Sequence, residues 1–236
     1  MRRLFPLGLV AALLSTPALA EKASYNVSFA GVRAGILAFD ASEQGGRYAV
    51  NGAVRPSGPL GVMLDGRIDS SASGRVSGNG YRPAKVREIT TEPEKTTTRT
   101  IAYSAGGVPK FTRTPPRKKP QKHAAPASRQ AGTVDTTTAA YAILRDRAAD
   151  EACKLDLSIF DGAKRHRIQL NKPKQTRTGL RCDGTYSRVA GFSPKEMSER
   201  VNWPLSMDYT RLEDGTMRVT GITFPTSFGK ARIRRR

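Results

Sequence analysis

Apolar and polar residues alternate in short stretches along almost the whole of this 236-residue chain. A period of two throws successive side chains to opposite faces, which suits half-buried strands and little else. Tyr25, Val27 and Phe29 alternate with Asn26 and Ser28; Gly31 to Gly35 reads as a turn, and Ile36 to Phe39 continues the pattern. Gly45-Gly46 then turns the chain into Arg47–Val54, as in an antiparallel meander. Pro56-Ser57-Gly58-Pro59 interrupts it before a short apolar piece, Leu60–Leu64. Arg67–Ser77, Lys85–Thr91 and Thr96–Tyr103 are polar strands, the first two separated by Gly78-Asn79-Gly80, and their polarity fits a sheet with one wet face. A second β section starts at Cys153. There Leu155, Leu157 and Ile159 alternate with polar neighbours, Asp161-Gly162 signals a hairpin, and the return strand carries Ile168 and Leu170 on one face. Thr178–Val189, Leu205–Leu212, Met217–Phe224 and Phe228–Arg236 complete the set, with a hairpin at Asp214-Gly215.

One helix interrupts the pattern. Asp135 is placed to cap a helix running from Thr136 to about Ala149, whose modest apolar face is Ala139, Ala140, Ile143 and Leu144. The fold class this predicts is mainly β: a single curved antiparallel sheet or partly open barrel with one packed helix, the alternative being a two-sheet β-sandwich. Residues 21–236 are expected to form one β-rich domain. Lys95 to Val134 contains no acidic residue, and its Pro-rich basic part, about 114–130, has no apolar face to bury and reads as a flexible loop.

The first twenty residues carry a leader pattern. Arg2 and Arg3 precede an apolar run from Leu4 to Leu14, and Ala18-Leu19-Ala20 is an A-x-A cleavage site. The run is too short to span a bilayer. A signal peptide cut after Ala20 implies export, most simply to a bacterial periplasm. Two cysteines in an oxidising compartment predict a Cys153–Cys182 disulfide.

The whole chain has 40 Lys and Arg against 20 Asp and Glu. Without Arg2 and Arg3 that is 38 against 20, a formal charge of +18. Such an excess attracts polyanions. In an envelope these are lipopolysaccharide, anionic phospholipid headgroups, or acidic wall and capsule polymers. Export and the lack of a nucleic-acid motif argue against nucleic acid. The candidate anion contacts fall in two clusters: Arg117, Lys118, Lys119 and Lys122 in the basic loop, and Lys230, Arg232, Arg234, Arg235 and Arg236 at the C-terminus.

The residues Val134-Asp135 leading into Thr-Ala-Ala-Tyr, Phe160-Asp161-Gly162 before a basic strand, and Cys182-Asp183-Gly184-Thr185-Tyr186 resemble a bacterial exported family classed as domain of unknown function 3108. Tyr25 with Gly31-Val32-Arg33-Ala34-Gly35 is similar to that family's opening. The resemblance implies export, no established activity, and a fold like the open curved sheets of periplasmic lipoprotein carriers. The basic segment Thr114–Arg129 departs from the family pattern.

Catalytic signals are sparse. His166 shares a strand face with Ile168 and Leu170, and His123 sits in the basic loop. Two isolated histidines argue against a metal site or a Ser-His-Asp triad. Asp135 suits a helix cap, while Asp161, Asp183 and Asp214 each precede a turn glycine. No phosphate or dinucleotide loop is present, and no cofactor is expected. The aromatics Tyr25, Phe29, Phe39, Tyr48, Phe160, Tyr186, Phe192, Trp203, Tyr209, Phe224 and Phe228 could line an acyl-chain groove or fill a core. The function expected is a non-enzymatic periplasmic binding or envelope-maintenance protein with affinity for anionic or lipidic envelope components. A module docking an acidic periplasmic protein through the basic loop or an exposed edge strand is the alternative. A third reading is an envelope-polymer hydrolase using His166 with nearby carboxylates.

Overall fold

The computed structural model describes residues 19–63, 66–78, 80–226 and 229–236. The leader up to residue 18, and Leu64, Asn79 and Phe228 with their assigned roles, lie outside the described residues. Thirteen strands form one antiparallel sheet. The first meander is β1 (Leu19–Phe29), β2 (Val32–Gln44), β3 (Arg47–Pro56), β4 (Arg67–Ser77), β5 (Gly80–Glu92), β6 (Lys95–Tyr103) and β7 (Pro109–Thr114). The second is β8 (Leu155–Phe160), β9 (Arg165–Thr176), β10 (Gly179–Ala190), β11 (Asn202–Arg211), β12 (Met217–Thr226) and β13 (Gly229–Arg235). The two join where the ends of the chain meet, in register from Tyr25↔Arg235 to Phe29↔Ala231. The strand order is therefore β7-β6-β5-β4-β3-β2-β1-β13-β12-β11-β10-β9-β8.

Hairpin geometry follows the glycines. Gly45 and Gly46 both take positive φ, 57° and 70°, as a two-residue turn between right-twisted strands requires. The first turn is tighter than Gly31–Gly35 suggests. It is Ala30-Gly31 alone, at φ 49° and 88°, and Val32–Gly35 joins β2.

The sheet is not closed by strand pairing. The connection between β7 and β8 runs across the gap. Val134 N donates to Ser158 O (2.9 Å) and Phe160 N to Val134 O (2.8 Å), adding a short parallel bridge to β8. Ala125 N donates to Ala163 O (2.7 Å). The Phe111 ring of β7 lies against Gly162, where any Cβ would collide with it at 2.5 Å. The result is a partly open barrel, and the two-sheet sandwich does not form.

The helix predicted after Asp135 is α2, Thr136–Leu144; a short helix α1, Gly58–Gly61, precedes it. The Asp135 carboxylate accepts from Thr137 N and Thr138 N, both at 2.9 Å, which satisfies two first-turn donors. Burial pushes the Asp135 carboxyl above its ordinary range, against the pull of these hydrogen bonds. The helix ends five residues short of Ala149 because tertiary bonds take the chain over. Arg145 turns extended, and Arg147 exchanges backbone hydrogen bonds with Met217 of β12 (3.1 and 2.8 Å). Strand β7 and helix α3, Pro194–Glu199, are additions to the sequence-based picture.

Inside the curve, α2 packs on β3, β4, β5 and β8. Tyr141 meets Phe39 and Tyr81 at centroid distances of 5.4 and 5.6 Å, and Tyr81 meets Tyr48 at 4.8 Å. Their polar tips are satisfied: Tyr141 and Tyr81 donate to Glu43, and Tyr48 shares a hydrogen bond with Thr138. The Cys153–Cys182 disulfide ties the loop after α2 to β10, with Cα atoms 5.3 Å apart.

Candidate apolar site

Strands β9 to β13 curve around a space that α2 does not fill. The helix buries most of its residues against β3, β4, β5 and β8 and lines this space with Ile143 alone. What remains is a half-enclosed apolar cavity of about 440 Å³. Ile168 and Leu170 of β9, Tyr186 of β10, Trp203, Leu205 and Met207 of β11, Ile222 and Phe224 of β12, and Ile233 of β13 form its wall. Pro225 and Thr226 complete one end. Pairing stacks the wall in rows: Ile168–Tyr186–Trp203, then Leu170–Gly184–Leu205, then Cys182–Met207–Ile222–Ile233. Gly184 belongs to a bulge in which a Cβ would lie 2.0 Å from Gln169 O, so only glycine fits, and the middle row is left without a side chain there. Burial sets the direction. Met207 and Cys182 are 1% and 0% exposed at the floor, while Trp203 and Thr226 sit half-buried where β11 begins and β12 ends.

One row beyond Tyr186 and Trp203, at the mouth, His166 pairs across with Arg188. His166 is wedged between Tyr186 and Phe192, with ring centroids at 5.5 and 5.3 Å. Its Nδ1 shares a 2.5 Å hydrogen bond with the Tyr186 hydroxyl, and its Nε2 lies 3.5 Å from Asp161 Oδ2. Burial opposes ionisation of Asp161, but hydrogen bonds from His166 and from the Lys164 and Ala163 backbone outweigh it and hold the carboxyl below its ordinary value. Burial raises the Tyr186 phenol, so it stays protonated and is a poor nucleophile. Among the described residues, His166 has no other hydroxyl or thiol partner.

Helix α3 borders the same mouth. Ser193 and Glu196 form a capping box, and Glu196 also takes a hydrogen bond from Lys164 Nζ (2.7 Å). These bonds, that of Lys164 above all, pull the Glu196 carboxyl down to about 2. Three cations lie on the rim aromatics. Arg188 stands 4.6 Å from the Trp203 centroid and 5.2 Å from Phe192, Arg200 stands 5.6 Å from Trp203, and Lys164 stands 4.6 Å from Phe192.

The sequence-predicted contacts fall elsewhere. Arg117, Lys118, Lys119 and Lys122 are exposed on the β7–α2 connection, and none lines the cavity. Lys230 is exposed on the outer face, in a groove of mixed lining with Lys172, Lys174 and Asp183. Arg232, Arg234 and Arg236 alternate outward along β13 and beyond. Arg235 does not belong with them. It points inward, 3.0 Å from Asp146 Oδ1 and 3.8 Å from Glu21, and donates to Tyr25 (3.2 Å), because its strand parity puts it over the core where carboxylates wait for it. The edge of β9 that runs on past β8, Asn171–Thr176, pairs with β10 on its other side only and is guarded by Lys172, Pro173 and Lys174, which disfavours strand addition. The aromatics divide: Tyr25, Phe39, Tyr48, Phe160 and Tyr209 are core, while Tyr186, Trp203 and Phe224 line the cavity. Arg188 and Arg200 went unnoticed in sequence. Two signals could have found them: Arg188 lies two residues beyond Tyr186 on one strand face, and Ser193-Pro194-Lys195-Glu196 has capping-box spacing. Among the described residues no group of His, Cys, Asp or Glu is arranged to hold a metal, and no helix is long and apolar enough to cross a membrane.

A family model described as "Protein of unknown function (DUF3108)" matches residues 24–220. No curated protein matches the chain. The crystal structure of a "Beta-barrel-like Protein of Domain of Unknown Function DUF1849 from Brucella abortus" is similar at a TM-score of 0.50 and 10% identity, over 92% of this chain and 95% of that one. At that identity the likeness bears on fold alone, and it agrees with a curved, barrel-like sheet.

Proposed function

This chain belongs to the DUF3108 family, and we propose that it is an exported, non-enzymatic binding protein that shelters one apolar chain of an envelope lipid between β9–β13 and α2. The observation that carries this reading is the cavity itself. Its volume of about 440 Å³ lies within the ~300–1,000 Å³ of small-molecule sites. Its wall is hydrocarbon and aromatic, with polar groups confined to the Tyr186 and Thr226 end. An ordinary core would have closed such a space, since interiors pack at crystal-like density.

Three features support export. The leader pattern precedes the fold, the disulfide suits an oxidising compartment, and cleavage after Ala20 would remove two exposed residues of β1 while sparing Glu21, whose side chain is 11% exposed and paired with Arg235. The surplus of positive charge favours the anionic envelope as the place where ligand is met.

Trp203 is the sole tryptophan and lies in the wall, so its emission reports occupancy. An environment-sensitive apolar dye is expected to bind the purified protein at one site and to shift that emission. Native mass spectrometry of protein extracted from envelopes is expected to show one lipid per chain. A folded Leu205→Asp variant that takes up dye as well as the parent would overturn the reading.

A further inference from the structure

We infer that the bound amphiphile ends in a carboxylate, and that Arg188 is the residue that receives it. The inference rests on the proposed cavity-binding role and adds the chemistry of the headgroup. Several partly buried cations in this protein have carboxylate partners, Arg99 with Glu88, Lys164 with Glu196, Arg218 with Asp146, and Arg235 with Glu21 and Asp146, whereas Arg113, Arg147 and Arg165 make no ion pair and are held by carbonyl or hydroxyl oxygens away from the cavity. Arg188 is half-buried, yet among the described residues it makes no ion pair; nor does Arg200 beside it. Two like charges converge on one indole ring, and the nearby Glu196 carboxylate is taken by Lys164. A half-buried charge without a counter-ion is costly, and the deficit is greatest next to apolar walls.

Arg188 is also held in position. Its Nη1 donates to Glu196 O and to Arg200 O, and its guanidinium is stacked on Trp203. The Nε and Nη2 hydrogens remain without a partner among the described residues. That free edge is the one that matches two carboxylate oxygens side by side. A phosphate usually also draws on backbone N–H groups at a helix start. Here the capping box of Ser193 and Glu196 already occupies the α3 start, which favours the smaller, planar anion. The floor at Met207 and Cys182 is closed and apolar, so an acyl tail points inward and its acid end stays at the Trp203 mouth.

Competition of dodecanoate, dodecanol and dodecyl phosphate against the apolar dye tests this on the purified chain. Dodecanoate is expected to bind about tenfold tighter than dodecanol at low salt, the scale of a charge-assisted hydrogen bond discounted for partial exposure. The advantage should shrink as salt rises, while dodecanol binding holds. Arg188→Gln is expected to bring the two ligands together without weakening dodecanol. The remote Lys119→Gln should change neither, which separates a specific contact from general positive charge. If Arg188→Gln fails to fold, the exposed Arg200→Gln should reduce the same preference by a smaller factor. Dodecanol and dodecanoate binding equally to the parent would overturn the headgroup assignment and leave the cavity reading standing. Binding of neither would remove the cavity reading. A clear preference for dodecyl phosphate would overturn the choice of carboxylate.

Discussion

The two meanders of this sheet fill their inner faces differently. Strands β2 to β5 close on α2 and on a layer of tyrosines whose hydroxyls all but one find partners: Tyr48, Tyr81 and Tyr141 are satisfied, and Tyr103 OH is buried without one. Strands β9 to β13 meet α2 only through Ile143 at the cavity, while the loop after α2 covers the rest through Arg147, Ala152 and Cys153. The difference comes from α2. Its cap at Asp135 and its early end at Leu144 direct its buried residues onto β3, β4, β5 and β8, and the chain then follows Met217 and leaves the cavity beside Ile143 open. A helix reaching Ala149 would have had another turn to pack.

The contrast can be broken most directly by truncating one aromatic on each side. Tyr141→Ala should cost about 4 kcal/mol in denaturant unfolding, because its neighbours cannot collapse into the space. Phe224→Ala, whose ring already faces a void, should cost about 1 kcal/mol or less. Equal losses would mean that the second meander is packed after all. The next largest effect is covalent. Replacing both Cys153 and Cys182 by alanine opens a link with a sequence separation of 29 and should cost about 3.5 kcal/mol by loop-closure entropy. Calorimetry of the double variant checks it. Asp135→Ala, which uncaps α2, should cost about 1–2 kcal/mol, whereas Asp135→Asn keeps an acceptor and should cost less.

The smallest effect sharpens the comparison at the mouth of the hollow side. Glu196 is depressed to about 2 from 4.5. A depressed carboxyl stabilises the folded state fully above its unfolded value and loses that contribution as pH falls through the folded one. Trp203 emission should therefore shift between about pH 4.5 and pH 2 as α3 loosens, and Glu196→Gln should remove the step. No such step is expected from the filled side, which has no tryptophan. A pH-independent Trp203 signal in the parent protein would show that α3 does not hold the rim.

Much of the β architecture was legible because alternation and turn glycines are local. Arg67–Ser77 matches β4 end to end, and Asp161-Gly162 and Asp214-Gly215 both lie at turns, the latter between β11 and β12. Asp135 announced α2 for the same reason: a cap is a contact between near neighbours. The end of α2 was not legible, since Arg147 is drawn off by Met217, seventy residues away in sequence. Nothing local distinguishes Arg235 from its neighbours in a run of arginines; only the pairing of β13 with β1 brings it to Glu21 and Asp146. The site was legible only in part. His166, Ile168 and Leu170 were read onto one face, but nothing local tells an aromatic in a core from one lining a hole.

The order of residues by itself determined that this chain would alternate faces, turn at its glycines and start a helix after Asp135, because each of these depends on neighbours a few positions apart. Tertiary structure alone decided which strands the helix would pack on, where a cavity would remain, and that Arg188 would stand at its mouth without an ion pair among the described residues. Volume and charge balance are properties of what distant strands bring together, and no stretch of sequence contains them.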